Sequence, residues 1–136
     1  MEKRLEAAAK KVFKILGISG RSLEIFLVPN PVMRDINREY RGKDKETNIL
    51  SFEAPAVPRP EEKLVHLGEI YLAPEYISAH NEDIEYLLVH GILHLLGYDH
   101  EQGERKARIM EKKEEEVIKK HNKNIKRPYL HGRKVK

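Results

Sequence analysis

The sequence predicts an α+β domain in which a small mixed sheet packs with helices around one central buried helix. Three observations carry that reading. Residues 82–96 repeat with helical period but leave almost no polar face, because Ile84, Leu87, Leu88, Val89, Ile92, Leu93, Leu95 and Leu96 surround the axis; a helix apolar all round belongs inside a fold. Three short segments, SLEIFLV (22–28), TNILSFEA (47–54) and HLGEIYLAP (66–74), are rich in Ile, Leu, Val and Phe and are set off by Gly, Pro or charged stretches, so they read as strands. Amphipathic helical patterns stand near both ends of the chain, and helices combined with a small sheet define the class.

Residues 2–16 place Leu5, Ala8, Ala9, Val12, Phe13, Ile15 and Leu16 near one helical face, with Gly17 and Gly20 as stop signals. After the first strand and Pro29-Asn30-Pro31, residues 31–40 open with proline at a first helical position and space Val32, Ile36 and Tyr40 four apart. A charged stretch, 41–46, leads into the second strand, and Pro55, Pro58 and Pro60 mark a loop before the third, which Pro74 ends. Asn81 is the expected N-cap of the buried helix, Glu82 and Asp83 its first turn, and Gly97 its stop. Residues 104–120 form a surface helix with a narrow stripe of Ala107, Met110, Val117 and Ile118, supported by the pairs Glu104–Arg108 and Glu115–Lys119.

The chain of 136 residues suits one domain, 1–118, followed by a basic tail, 119–136. The tail holds eight Lys or Arg and no Asp or Glu, whereas the first 118 residues hold 18 basic and 22 acidic side chains. A basic tail suits a polyanion such as RNA and equally a solvated surface. No apolar run approaches the ~20 residues that span a bilayer, and the charged N-terminal segment lacks a signal-peptide core, so a soluble cytoplasmic protein with no membrane partner is expected. With no cysteine, any metal must be held by nitrogen or oxygen.

The chemistry concentrates in HGILHLLGYDH, residues 90–100. His90 and His94 lie four apart on a helix, about 5 to 6 Å apart at Cβ, and can reach one ion together. A lone histidine on an apolar face is usually a satisfied core residue. Two in one apolar helix each need partners or carry a desolvation cost of ~1 to 3 kcal/mol, which a shared metal removes. Gly97 lets the chain turn so that His100 can supply a third ligand. Three histidines leave a coordination position open for water, as catalytic zinc sites do, and the ion lowers the pKa of its water toward ~7. The spacing matches the zinc run of metzincin proteases except at Gly91, where those enzymes carry the glutamate general base. A mid-helix glycine costs ~1 kcal/mol relative to alanine, and clearance for a bulky group at the open metal position is the reason expected for it. Imidazole also accepts nickel, copper and iron.

Three ordered segments within about residues 20–118 resemble the YbeY family of metal-dependent endoribonucleases: INREYRGKDKETNILSF, LGEIYLAP and HGILHLLGYDH. The chain departs from the family pattern at Glu46, where proline is common, at Glu69, where aspartate is usual, and in its long basic tail. The resemblance implies a zinc-dependent, single-strand-specific endoribonuclease of ribosomal RNA maturation and ribosome quality control, with RNA and the ribosome as partners. It implies His90, His94 and His100 as zinc ligands, with His90 and Arg41 in the catalytic set. Arg41 has a rationale of its own, since a guanidinium can hold a phosphate through two hydrogen bonds. Lys43 and Lys45 are weaker phosphate contacts, Asn37 shares the face of Arg41 or serves as a structural hydrogen-bonding residue, and Asp99 is the nearest carboxylate able to orient water. Two other readings stand beside this one: a zinc hydrolase of peptide or amide bonds, and a non-catalytic RNA- or ribosome-binding protein with a structural zinc.

Overall fold

The computed structural model describes residues 1–55, 65–99, 101–122, 124–125, 129–130 and 133–134. Burial alternates along the third strand segment, β3 (Val65–Leu72), where Gly68, Ile70 and Leu72 are buried and their neighbours less so. Strand pleating thereby gives the sheet two unlike faces. β3 is the central strand of three. β1 (Arg21–Leu27) runs parallel to it with Ile25 beside Ile70 and Leu27 beside Leu72, and β2 (Ile49–Glu53) runs antiparallel with Ile49 beside Leu72 and Ser51 beside Ile70. The sheet is therefore mixed, as expected. Gly68 has φ +145°, and a Cβ there would sit 2.0 Å from the Phe52 carbonyl oxygen, so only glycine permits β2 to pair this closely.

On one face of the sheet Ile25, Ile49, Ile70 and Leu72 join the main core with α1 (Glu2–Ile15), α4 (Ile84–Leu95) and α5 (Glu104–His121). On the other, Leu50, Phe52 and Tyr71 meet Met33, which α2 (Asn30–Arg41) contributes. α1 buries Leu5, Ala8, Ala9 and Val12. α4 buries Tyr86, Leu87, Leu88, Val89, Gly91, Ile92, Leu93 and Leu95, which makes it the enclosed centre that its composition demanded. Two-residue strands β4 (Tyr129–Leu130) and β5 (Arg133–Lys134) pair antiparallel within the tail. Among the described residues, no helix is long and apolar enough to cross a membrane.

Three expectations change. Pro74 ends β3 but also opens a short helix, α3 (Pro74–Ala79), as its first residue. The N-cap of α4 is Asp83 and not Asn81: Asp83 Oδ1 accepts from the backbone N–H of Glu85 and Tyr86, whereas Asn81 takes φ +55° in the turn after α3. α5 is more than a surface helix. It buries Ala107, Met110, Glu114, Val117, Ile118 and His121, and Ile125 beyond it joins the main core, so the basic run from Lys119 begins inside packed structure.

Ion pairing ties the three helices of the main core together. Arg4 of α1 donates to Glu85 Oε2 at 2.7 Å, buried His121 of α5 lies 3.1 Å from Glu85 Oε1, and Lys11 donates to the His121 carbonyl. Burial pushes the Glu85 carboxyl up, but hydrogen bonds and charge from Arg4 and His121 outweigh it and hold the group below its ordinary value. A carboxylate depressed in the folded state stabilises above its unfolded pKa, and that contribution is lost as pH falls through the folded value. Glu85→Gln is thus expected to cost about 1 kcal/mol at pH 7, modest because Arg4 is open to solvent. Urea unfolding of both proteins from pH 7 to pH 3 measures it: the gap should close below pH 4.5, and a constant gap would contradict this account.

Candidate metal centre

Helix α4 begins where Asp83 caps it and ends at a turn in which Gly97, at φ +100°, donates its N–H to the His94 carbonyl while Tyr98 N–H bonds the Leu93 carbonyl. From Tyr86 to Leu95 every residue of this helix is buried except its two histidines, which are part-buried. Their rings stand edge to face with centroids 6.4 Å apart, so the structure brings His90 and His94 together on one side of α4. His100 lies outside the described residues. Among the described residues, no set of three ligand-type side chains is gathered at one point.

The partner of His90 comes from α5. Glu114 is 3% exposed, and its Oε1 lies 2.7 Å from His90 Nδ1 while its Oε2 accepts from the Tyr86 hydroxyl at 2.7 Å. A carboxylate this buried costs several kcal/mol unless it is paired and hydrogen-bonded. Here both oxygens are engaged. Donation from Nδ1 to a carboxylate makes Nε2 the lone-pair nitrogen of a neutral imidazole, the arrangement that histidine ligands commonly take around metals. The donor set fits zinc on that observation: two imidazoles four apart on a buried helix, one of them already oriented by a carboxylate. Sequence reading missed Glu114 because EKKEEE looks like a solvated run. Its signal was the spacing, since 107, 110, 114, 117 and 121 continue a single three-four stripe of otherwise apolar residues and a terminal histidine.

Gly91 does not serve the metal position. A Cβ there would come within 3.0 Å of Ile49 Cδ1 and 3.1 Å of Ile70 Cδ1, so this face of α4 presses on the sheet and the clearance expected for a metal-bound group is instead clearance for two isoleucines. The same geometry bears on the protease comparison: a side chain at position 91 points into the core.

Arg41 is the last residue of α2, and Gly42 reverses the chain behind it at φ +70°, with Gly42 N–H bonded to the Arg38 carbonyl and Lys43 N–H to the Asn37 carbonyl. Its Nη2 donates to the Ser51 carbonyl at 2.8 Å, and its Cζ stands 5.0 Å from the centre of the Phe52 ring. Both anchors are on β2, so the structure does not set Arg41 against the histidines directly. It fixes both to one strand, because Ile49 of β2 is what position 91 of α4 packs on. Neighbouring Arg34 and Arg38 are paired with Asp44 and Asp35, whereas Arg41 bonds no carboxylate among the described residues. Lys43 and Lys45 are exposed in the loop after α2. Asn37 is buried and donates to the Lys45 carbonyl, which settles its role as structural. Asp99 Oδ1 accepts from the backbone N–H of Glu101 at 2.7 Å. Glu69 faces away from α4 and accepts from the Tyr71 hydroxyl, whose pKa that bond pushes up to about 12.

Alanine at position 91 should gain helix propensity and lose packing, with overpacking worth about 1 to 3 kcal/mol. Measured against a background of Ile49→Val and Ile70→Val, which removes both contacting methyl groups, Gly91→Ala should be better tolerated by about 1 kcal/mol than in the natural protein. Equal costs in the two backgrounds would show that position 91 does not press on the sheet.

The Endoribonuclease YbeY family model matches residues 1–122. Three proteins named Endoribonuclease YbeY are similar over most of the chain. That of Persephonella marina is 35% identical over 125 residues, covering 86% of this chain and 81% of its own. That of Sulfurihydrogenibium is 39% identical over 117 residues, covering 80% and 76%. That of Pelotomaculum thermopropionicum is 41% identical over 127 residues, covering 84% and 82%. The solution structure of TM1509 from Thermotoga maritima superposes with a TM-score of 0.53 at 30% identity, covering 90% of this chain and 86% of that one. A family match over nearly the whole folded region, relatives well above 30% identity and a shared α+β architecture agree, and the chain belongs to the YbeY endoribonuclease family.

Proposed function

We propose that this protein is a zinc-dependent, single-strand-specific endoribonuclease that acts in ribosomal RNA maturation and ribosome quality control in the cytoplasm. Family membership supports RNA cleavage, and the observation that carries the metal is the His90–His94 pair with Glu114 behind His90. His90, His94 and His100 would hold the ion. When bound, zinc supplies a Lewis acid for a phosphoryl oxygen and lowers the pKa of a coordinated water.

The chain's own residues do the rest. Arg41 binds a phosphodiester: among the described residues no carboxylate pairs with its guanidinium, and the Ser51 carbonyl and Phe52 ring orient it as a donor for charge that develops in phosphoryl transfer. Asp99 Oδ1 accepts from the backbone N–H of Glu101, which supports a structural part for this carboxylate. The peptide-hydrolase reading lacks its general base, because glycine stands at position 91 and that position faces Ile49 and Ile70.

His94→Ala is expected to keep the fold and RNA binding while cleavage of a single-stranded RNA falls by roughly 1,000-fold or more, and Arg41→Gln by roughly 100-fold, the scale of losing a metal or one transition-state donor. Circular dichroism, a filter-binding assay and a cleavage time course on the same preparations measure this. Cleavage at the natural rate by His94→Ala would remove the metal mechanism, and retention of RNA binding without any cleavage by the natural protein would favour the binding-module reading. A 2′-deoxy nucleotide at the scissile position identifies the nucleophile, since undiminished cleavage excludes the adjacent ribose hydroxyl.

A further inference from the structure

Glu114 stands outside the three-histidine set, on a different helix, and its burial needs a reason. Its neighbours along the α5 stripe are Ala107, Met110, Val117 and Ile118, all buried, and an aliphatic side chain at position 114 would continue that packing. The carboxylate instead spends both oxygens on α4, one on Tyr86 and one on His90, which are four residues apart and so face α5 together. The Tyr86 and His90 ring centroids are 6.2 Å apart at an interplanar angle of 30°, which sets them side by side across the carboxylate. Tyr86 is itself 5% exposed, so the whole chain of hydroxyl, carboxylate and imidazole lies in the core and only the His90 end reaches the part-exposed surface.

We propose that Glu114, anchored by Tyr86, is a positioning residue that holds His90 in the Nδ1–H tautomer and fixes its ring plane, so that Nε2 is the nitrogen presented to the metal. This rests on the metal reading above for its consequence but not for its structure. Glu114 touches neither substrate nor reacting atoms; it acts through His90. A carboxylate that accepts from Nδ1–H excludes the alternative tautomer, which would turn an N–H toward the ion, and the flipped ring, which would turn a C–H toward it. The Tyr86 hydroxyl keeps the second oxygen from rotating into the first one's place.

The test uses the full chain stripped of metal, with 15N-labelled histidine, at a pH where the imidazoles are neutral. Two-bond 15N–1H spectra report the His90 tautomer, and competition with a chromophoric chelator reports zinc affinity. In the natural protein His90 should be Nδ1–H. Glu114→Gln, whose amide oxygen can still accept from Nδ1–H, should largely keep that tautomer, whereas Glu114→Leu should lose it while staying folded through aliphatic packing. Zinc should bind roughly 10- to 100-fold more weakly to Glu114→Leu, with Glu114→Gln between the two. Natural tautomer and natural zinc affinity in Glu114→Leu would overturn the proposal and reduce Glu114 to a structural link between helices. A natural protein that holds His90 as Nδ1–H and loses it in Glu114→Leu, yet takes up no zinc, would uphold the brace and overturn the metal reading instead.

Discussion

Two imidazoles on a largely apolar central helix must be matched by polar groups, and the buried carboxylate of Glu114 matches one of them from across the core. Much else follows from that constraint. α5 has to lie against α4 in a fixed register for the 2.7 Å contact to form, and α1 is drawn into the same arrangement through Arg4, Glu85 and His121. The helical layer is therefore pinned by polar contacts at two levels of α4, Glu85 and His90, with Leu88 buried between them and Ile92 and Leu93 buried beyond His90. Isolated surface ion pairs contribute little, but a buried pair whose loss strands a charge is costly to break.

β2 connects this centre to Arg41. Its Ile49 meets α4 at Gly91, its Ser51 carbonyl holds Arg41, and its Phe52 ring lies beneath the guanidinium. Pleating assigns these tasks: Ile49 turns toward α4, whereas Phe52 turns toward α2, and the carbonyl of Ser51 lies in the strand plane where Arg41 reaches it. Gly68 lets β2 approach β3, and Gly91 lets α4 approach both. Neither Gly68 nor Gly91 is a ligand-type residue, yet both set how far the histidine helix stands from the strand that anchors Arg41.

Much of this was legible in the residues. The near-continuous apolar run from Ile84 to Leu96 named the central helix, and clusters of Ile, Leu, Val and Phe named the three strands. Four-residue spacing put His90 and His94 on one side. Other features were ambiguous for physical reasons. Pro74 stops a strand and starts a helix equally well. Asn81 and Asp83 are both good cap residues, and only the bonds from Asp83 to Glu85 and Tyr86 decide between them. Gly91 could not be assigned a face because α4 is apolar all round, which removes the cue that an amphipathic helix gives. Glu114 was hidden by composition, and the stripe that marks it gains meaning only when His90 is known to face α5.

The central claim, that histidines on α4 hold a catalytic metal used on RNA, is tested most directly by elemental analysis of the purified protein alongside cleavage of single-stranded RNA with and without chelator. The account predicts about one zinc per chain, cleavage abolished by chelation and restored by zinc. Full cleavage by a protein verified to be free of metal would contradict it.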